Sequence, residues 1–334
     1  MRNLLFKSLA IAIFSCSILV GWAWKEFKLI MESNVVIPAE GIVLDVQPGM
    51  SFYAVANELR RLSIGPNPNW QRLIAWYYPE LTQVKVAEYH IAPNQSYYQV
   101  LAQLTSGVGK QYEIQLLVGI TLTEGLQQLA EHQQLEQDMA LDVMTVRELL
   151  GITAENPEGW LFPDTYQFPR GTKVTTLLKM MHQRTVDALS IAWQDRAVDN
   201  ALKSPYELLI MASLIEKEAA LDSERATISG VFHRRLDKRM RLQTDPTVIY
   251  AMGDEFDGDI RSRDLLRQSP YNTYRVFGLP PTPIALPSQA SLDAAAHPES
   301  GSALYFVARG DGSHAFSDTL EEHNAAVRKY QLRK

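Results

Sequence analysis

The chain has 334 residues, 46% hydrophobic and 21% charged, with a formal net charge of -6 and a pI of about 5.7. That length suggests about two domains, and the composition is that of a globular protein with ample material for a core. The acidic balance argues against a dedicated nucleic-acid binder, which needs a basic face to neutralise phosphates. The lone Cys16 rules out an intramolecular disulfide.

The first element is apolar. "SLAIAIFSCSILVGWAW", residues 8 to 24, carries no charge, with Arg2 and Lys7 before it and Lys25 and Lys28 after it. It is long enough for a short spanning helix, and Trp22 and Trp24 sit where an interfacial aromatic belt belongs. No A-x-A pattern ends the run, which favours an uncleaved single-pass anchor over a cleaved signal. A seven-residue leading tail stays more naturally in the cytoplasm while the large remainder crosses. Residues 29–39 read as a short stalk.

A small α+β module follows over residues 40–110. "GIVLDVQPGM" reads as a strand ending in a Pro-Gly turn. "SFYAVANELRRL" reads as a helix whose stripe is Phe52, Val55, Leu59 and Leu62. "NPNWQRLIAWYYPEL" is a second helix, "VAEYHI" a strand, and "SYYQVLAQLTSG" a third helix stopped by Gly107.

The second domain, residues 111–334, is larger and also α+β. Thr121 with Glu124, Thr145 with Glu148 and Thr319 with Glu322 fit capping boxes at three helix starts. "EGWLFPDTYQFP" looks like a loop, and helices are expected at about 174–192 and 205–221. "ATISGVFHRRLDKRM" is another helix; Asp245 is placed to cap the next, with Pro246 in its first turn. "SPYNTYRVFGLPPTPIALPS" is too proline-rich to be regular, and "ALYFVARGDGSHAFS" reads as a hairpin with a Gly-Asp-Gly turn.

Within 205–221, Leu208, Met211, Leu214, Ile215 and Leu221 share one broad stripe at about 100° per residue, and Glu218 falls near its centre. An ionised carboxylate there is costly, so its pKa should rise, and a carboxylic acid that keeps its proton near neutrality can act as a general acid. The same position suits an acid paired with a cation from another helix. Glu216 points about 200° away from Glu218 and, with Lys217, is expected on a polar outer face. Asp222 lies one turn beyond Glu218; it either completes a pair of carboxylates or caps the following segment.

"ASLIEKEAALDSE", "RMRLQTDPTVIYAMG", "YNTYRVFGLPPTPIALPS", "EGWLFPDTY" and "AAAHPESGSALYFVARGDGSHAFSDTLEEHN" together closely resemble the MltG (YceG-like) family of endolytic murein transglycosylases. The resemblance runs from the N-terminal anchor to the last helix. It implies a cytoplasmic tail and transmembrane anchor at 1–28, a LysM-like module at 40–110 and a catalytic domain at 111–334. It assigns the catalytic role to the second glutamate of "EKE", Glu218. The implied reaction cuts the bond between N-acetylmuramic acid and N-acetylglucosamine inside a strand and leaves a 1,6-anhydro end. Glu218 protonates the glycosidic oxygen and then takes the proton of the muramic acid 6-hydroxyl. Gln243, Asp245, Tyr271, Asn272, Tyr274 and Tyr166 are candidate groove residues, with Asp164 beside Tyr166, because amides, carboxylates and aromatic faces suit sugars.

No cofactor is implied, and the seven scattered histidines, with no HExxH or CxxC, give no metal site. The implied partners are peptidoglycan glycan strands, the cytoplasmic (inner) membrane and a peptidoglycan synthase complex, with the catalytic domain on the periplasmic side. Rival classes are a two-carboxylate hydrolase using Glu218 and Asp222, and a non-catalytic wall-binding scaffold. A pyridoxal-phosphate lyase is a third, for which nothing indicates a Schiff-base lysine.

Overall fold

The computed structural model describes residues 2–332, with side chains from Phe6 onward. It is a mixed helix and strand protein whose chain divides into two compact units. The first unit runs up to Tyr112 and takes in Phe168–Arg170; the second comprises the rest.

The first unit contains α1 (Arg2–Glu32), β1 (Ile42–Val46), α2 (Phe52–Arg61), α3 (Pro68–Tyr77), β2 (Ala87–Ile91) and α4 (Tyr97–Ser106). β1 and β2 pair antiparallel, Ile42 opposite Ile91 and Val46 opposite Ala87. Phe52, Val55 and Leu59 bury one face of α2, as their spacing predicts, and Gly107 ends α4 in the left-handed region that a glycine adopts without strain. α1 holds the one helix among the described residues long and apolar enough to cross a membrane, Phe6–Glu32, with no burial of its apolar stretch. Residues 29–39 do not form the expected stalk. Residues 29–32 complete α1, and Phe27 and Met31, one turn apart, are buried in the first unit's core. Beyond them the Val35 N–H donates to the Gln95 carbonyl.

β3 (Gln111–Gln115) leads into the second unit, which continues with α5 (Leu122–Glu131), β4 (Leu135–Glu136), α6 (Val143–Leu150), β5 (Thr165–Pro169, its last two residues counted with the first unit), β6 (Thr172–Lys173), α7 (Val174–Asp195), α8 (Pro205–Glu218), α9 (Arg225–Asp237), α10 (Asp245–Met252), α11 (Gln289–Ala296), β7 (Tyr305–Ala308), β8 (His314–Ser317) and α12 (Leu320–Tyr330). The strands pair two by two, and β7 and β8 form the expected hairpin, Tyr305 opposite Ser317.

The capping boxes at Thr121 and Thr319 form, but the one at Thr145 does not. Asp142 caps α6 instead, because its carboxylate accepts the Met144 and Thr145 amides, two and three residues on. β5 emerges from the stretch expected as a loop, with Tyr166 and Phe168 buried and their neighbours exposed, which is strand periodicity.

α8 is buried all round from Leu208 to Ile215, against Ile228 and Phe232 of α9 and Leu292 and Ala295 of α11. It ends at Glu218, three residues before the expected end. Leu221 is therefore exposed rather than part of the apolar stripe.

Candidate active site

Glu218 is the last residue of α8 and opens onto a cleft of about 450 Å³. The cleft takes its other walls from the segment before α10, from the 274 loop, from the β7–β8 hairpin and from α12. The Thr244 hydroxyl donates to Glu218 Oε1. Among the described residues Thr244 is the hydrogen-bond partner of this carboxyl, which itself lines the cleft. Burial pushes the carboxyl above its ordinary range. The Thr244 bond works against this, the Asp245 charge adds to it, and the His314 and Arg235 fields oppose it.

Thr244 is held in turn. Its N–H donates to Thr273 Oγ1 at 3.0 Å, its carbonyl accepts from Thr247 Oγ1 at 2.7 Å, and the Thr247 and Thr273 hydroxyls are 2.9 Å apart. All three threonines are buried. They lock the "QTDPT" and "YNTY" segments together beneath the cleft. Thr244 turns inward to Glu218 and Thr273, while its neighbours Gln243 and Asp245 line the cleft. Residue type points to those neighbours and not to the threonine that touches the acid, because the left-handed turn at Gln243 and the helix start at Asp245 leave no simple alternation in "QTD" to show which side chain turns inward. Thr244 is the N-cap position of α10, without a side-chain cap, and Asp245 is its first residue rather than the cap itself. Gln243 sits at φ +51°, a strained backbone for a residue with a Cβ, pinned by its N–H to the Thr273 carbonyl.

Of the candidate residues, the fold brings Glu218, Gln243, Asp245 and Tyr274 to one cleft. The Tyr274 hydroxyl donates to Asp245 Oδ1 at 2.5 Å. Tyr271, Asn272 and Tyr166 do not line it. The Tyr271 hydroxyl pairs with Thr282 at 2.8 Å and its ring packs on Tyr250. Asn272 is fully buried, its amide donating to the Leu265 and Arg267 carbonyls, so it shapes the loop from within. Tyr166 is buried on β5 and donates to the Phe162 carbonyl, and Asp164 is ion-paired with Arg184. In each case packing or a backbone carbonyl claims a side chain that composition alone cannot place.

Three cationic or titratable side chains also line the cleft. Arg235 on α9 donates to the Leu304 and Leu242 carbonyls and lies 5.2 Å from the centre of the Tyr305 ring. His314 opens β8, its Nδ1 2.7 Å from Glu224 Oε2, while its N–H donates to the other Glu224 oxygen at 3.0 Å. His323 stacks on Tyr305, and burial lowers its pKa.

The remaining acids of the "EKEAALD" stretch lie elsewhere. Asp222 has a side chain 87% exposed and is held by Arg225, outside the cleft. Glu216 is not on a polar outer face. Its side chain is 3% exposed, it meets Arg225 at 3.1 Å, and it accepts from the Ser288 N–H at 2.8 Å and from the Ser288 hydroxyl. Lys217 does reach the surface, where its ammonium donates to the Gly119 carbonyl.

Comparison with known proteins converges on one family. The YceG-like family matches residues 44–329. An endolytic murein transglycosylase of Bacillus subtilis (strain 168) is 30% identical, over 94% of this chain and 91% of that protein. One from Streptococcus pneumoniae (strain R6) is 27% identical over 76% of this chain and 52% of the longer relative. The crystal structure of a YceG-like protein from Listeria monocytogenes aligns with a TM-score of 0.55 at 30% identity, covering 86% of this chain and all of that one. With most of its length matched, the chain belongs to the YceG-like family.

Proposed function

We propose that this chain is a membrane-anchored endolytic peptidoglycan lytic transglycosylase. The observation that carries the reading is Glu218: one carboxyl at a helix end, facing a cleft, with its pKa raised by burial. A carboxyl held above its ordinary range is favoured in its acid form and can donate its proton to the glycosidic oxygen between N-acetylmuramic acid and N-acetylglucosamine. As carboxylate it then accepts the proton of the muramic acid 6-hydroxyl while that oxygen attacks C1. The nucleophile belongs to the sugar, so one carboxyl serves both halves of the reaction and the product end is a 1,6-anhydro ring. Gln243, Asp245 and Tyr274 supply amide, carboxylate and aromatic contacts for the strand. α1 holds the enzyme in the cytoplasmic membrane with both units outside, where nascent strands emerge beside their synthase.

The exposure of Asp222 counts against a hydrolase that pairs it with Glu218. The full chain in detergent, incubated with uncross-linked strands, tests the chemistry by product mass. Internal cuts whose new ends are lighter by one water than the hydrolytic product support the transglycosylase. Water-added ends make the protein a hydrolase. An N-terminally trimmed protein for this assay should keep Phe27 and Met31, which belong to the first unit's core.

Asp245 also lines the cleft, and its negative charge helps keep Glu218 protonated. Asp245→Asn removes that charge and lowers the Glu218 pKa. Activity that needs the acid form falls as pH rises through that pKa, so the alkaline limb of the kcat profile moves to lower pH. A limb that stays in place would mean that Asp245 does not act on Glu218.

A further inference from the structure

The end of α1 and the first unit share one aromatic surface. Phe27 stacks 6.1 Å from Tyr78 and meets Tyr77 edge-on at 5.6 Å. One turn earlier, Trp24 meets the same Tyr77 edge-on at 5.2 Å. Trp76, the next-to-last residue of α3, lies 6.5 Å from Tyr77. Unlike Phe27, it is not part of the core: it is 77% exposed, and Trp24 and Tyr77 beside it are also exposed. Leaving so large a ring in water at the end of a packed helix is costly unless something covers it.

The position of Trp24 says what covers it. Residues 8–24 are uncharged, and on a helix rising 1.5 Å per residue they span about 25 Å, close to the thickness of a bilayer's hydrocarbon core. Trp24 therefore marks the level at which α1 leaves the hydrocarbon, with Lys25 and Lys28 in the headgroups. Through Tyr77, Trp76 is tied to that same level. Trp and Tyr prefer this layer because the ring is apolar while its N–H or O–H needs a polar partner. Arg72, exposed and four residues before Trp76, shares its face of α3 and adds a cation suited to anionic headgroups.

We propose that the C-terminal end of α3, through Trp76 and Tyr77, inserts into the lipid interface beside α1, so that the first unit rests on the bilayer at a second point. This rests on α1 being the spanning anchor. The helix end is already built into the first unit's core through Phe27 and Met31. With a second attachment, that unit has a fixed face toward the membrane and does not swing on a tether.

The test uses the full chain in vesicles of phosphatidylethanolamine and phosphatidylglycerol. A fluorescent thiol label is placed singly at native Cys16, at position 76 (Trp76→Cys), at position 72 (Arg72→Cys) or at position 198 (Val198→Cys), the last three in a Cys16→Ser background. Quenching is read from lipids with nitroxides at stated chain depths and from aqueous iodide. The label at 16 should be quenched by deep nitroxides. Those at 76 and 72 should be quenched by shallow ones, with iodide access several-fold below that at the fully exposed 198. If 16 is quenched by lipid while 76 and 72 behave as 198 does, the anchor stands and the second contact is refuted. If 16 is not quenched by lipid, the anchor reading fails and takes the proposal with it. The label at 72 guards against a local effect of losing the indole at 76.

Discussion

Glu218→Gln leaves a folded protein that cuts glycan strands about a hundredfold to ten-thousandfold more slowly, the scale on which a positioned general acid contributes. Glutamine keeps the shape and can still accept from Thr244, but it has no proton to donate. The same substitution should raise stability at neutral pH, and the sign follows from linkage. Burial holds the folded carboxyl above its ordinary value, while in the unfolded chain it titrates near about 4.3. Between those two values the native state binds a proton that the unfolded state has released. Stability therefore falls as pH rises through that window, and the penalty persists above it. Glutamine carries no such penalty. The loss of urea midpoint between pH 5 and pH 8 should be smaller in the variant than in the wild type; what remains in both comes from other buried acids, first Glu158, which burial pushes up to about 7. A variant that is inactive but also less stable at pH 8 would point to a structural carboxylate. A variant with full activity would favour a wall-binding scaffold.

The elements were largely legible in the sequence because their signals are local. The boxes at Thr121 and Thr319 and the Gly107 stop each lie within a few residues of what they govern. The end of α8 was not, since "AALDSER" contains neither glycine nor proline to stop a helix. What catches the chain there is distant: Thr244 on Glu218 and Gly119 on Lys217. The acid itself was legible as a carboxylate where spacing predicts core. The far wall of its cleft was not. Arg235, His314 and His323 occupy ordinary positions on a helix, a hairpin and another helix. Only folding shows that His314 rests on Glu224, ninety residues earlier, or that Asn272 faces inward while Tyr274 faces the cleft.

Glu216→Ala should cost about 3 kcal/mol of stability, the scale for removing one partner of a buried ion pair, read as a lower urea midpoint. The alanine leaves the Arg225 guanidinium facing Ser291 and the surface Asp222 without its buried counter-charge. It also strips an acceptor from the Ser288 N–H and hydroxyl at the start of α11. Three successive side chains leave the end of α8 at steps of about 100°, and each is taken by a different part of the unit. Glu216 meets α9 and α11, Lys217 meets the Gly119 carbonyl, and Glu218 meets Thr244. Glu216 thus shares with Lys217 and Glu218 the anchoring of the end of α8, and losing it should let the second glutamate's carboxyl shift. Glu216→Gln separates charge from shape: it can still accept from Ser288 but no longer balances Arg225, so its midpoint should fall between those of alanine and wild type. The fraction of Glu216→Ala that remains native should cleave more slowly than wild type with an unchanged pH profile, because the acid is displaced rather than retitrated. An alanine variant as stable and active as wild type would mean that Thr244 and Lys217 alone position the end of α8.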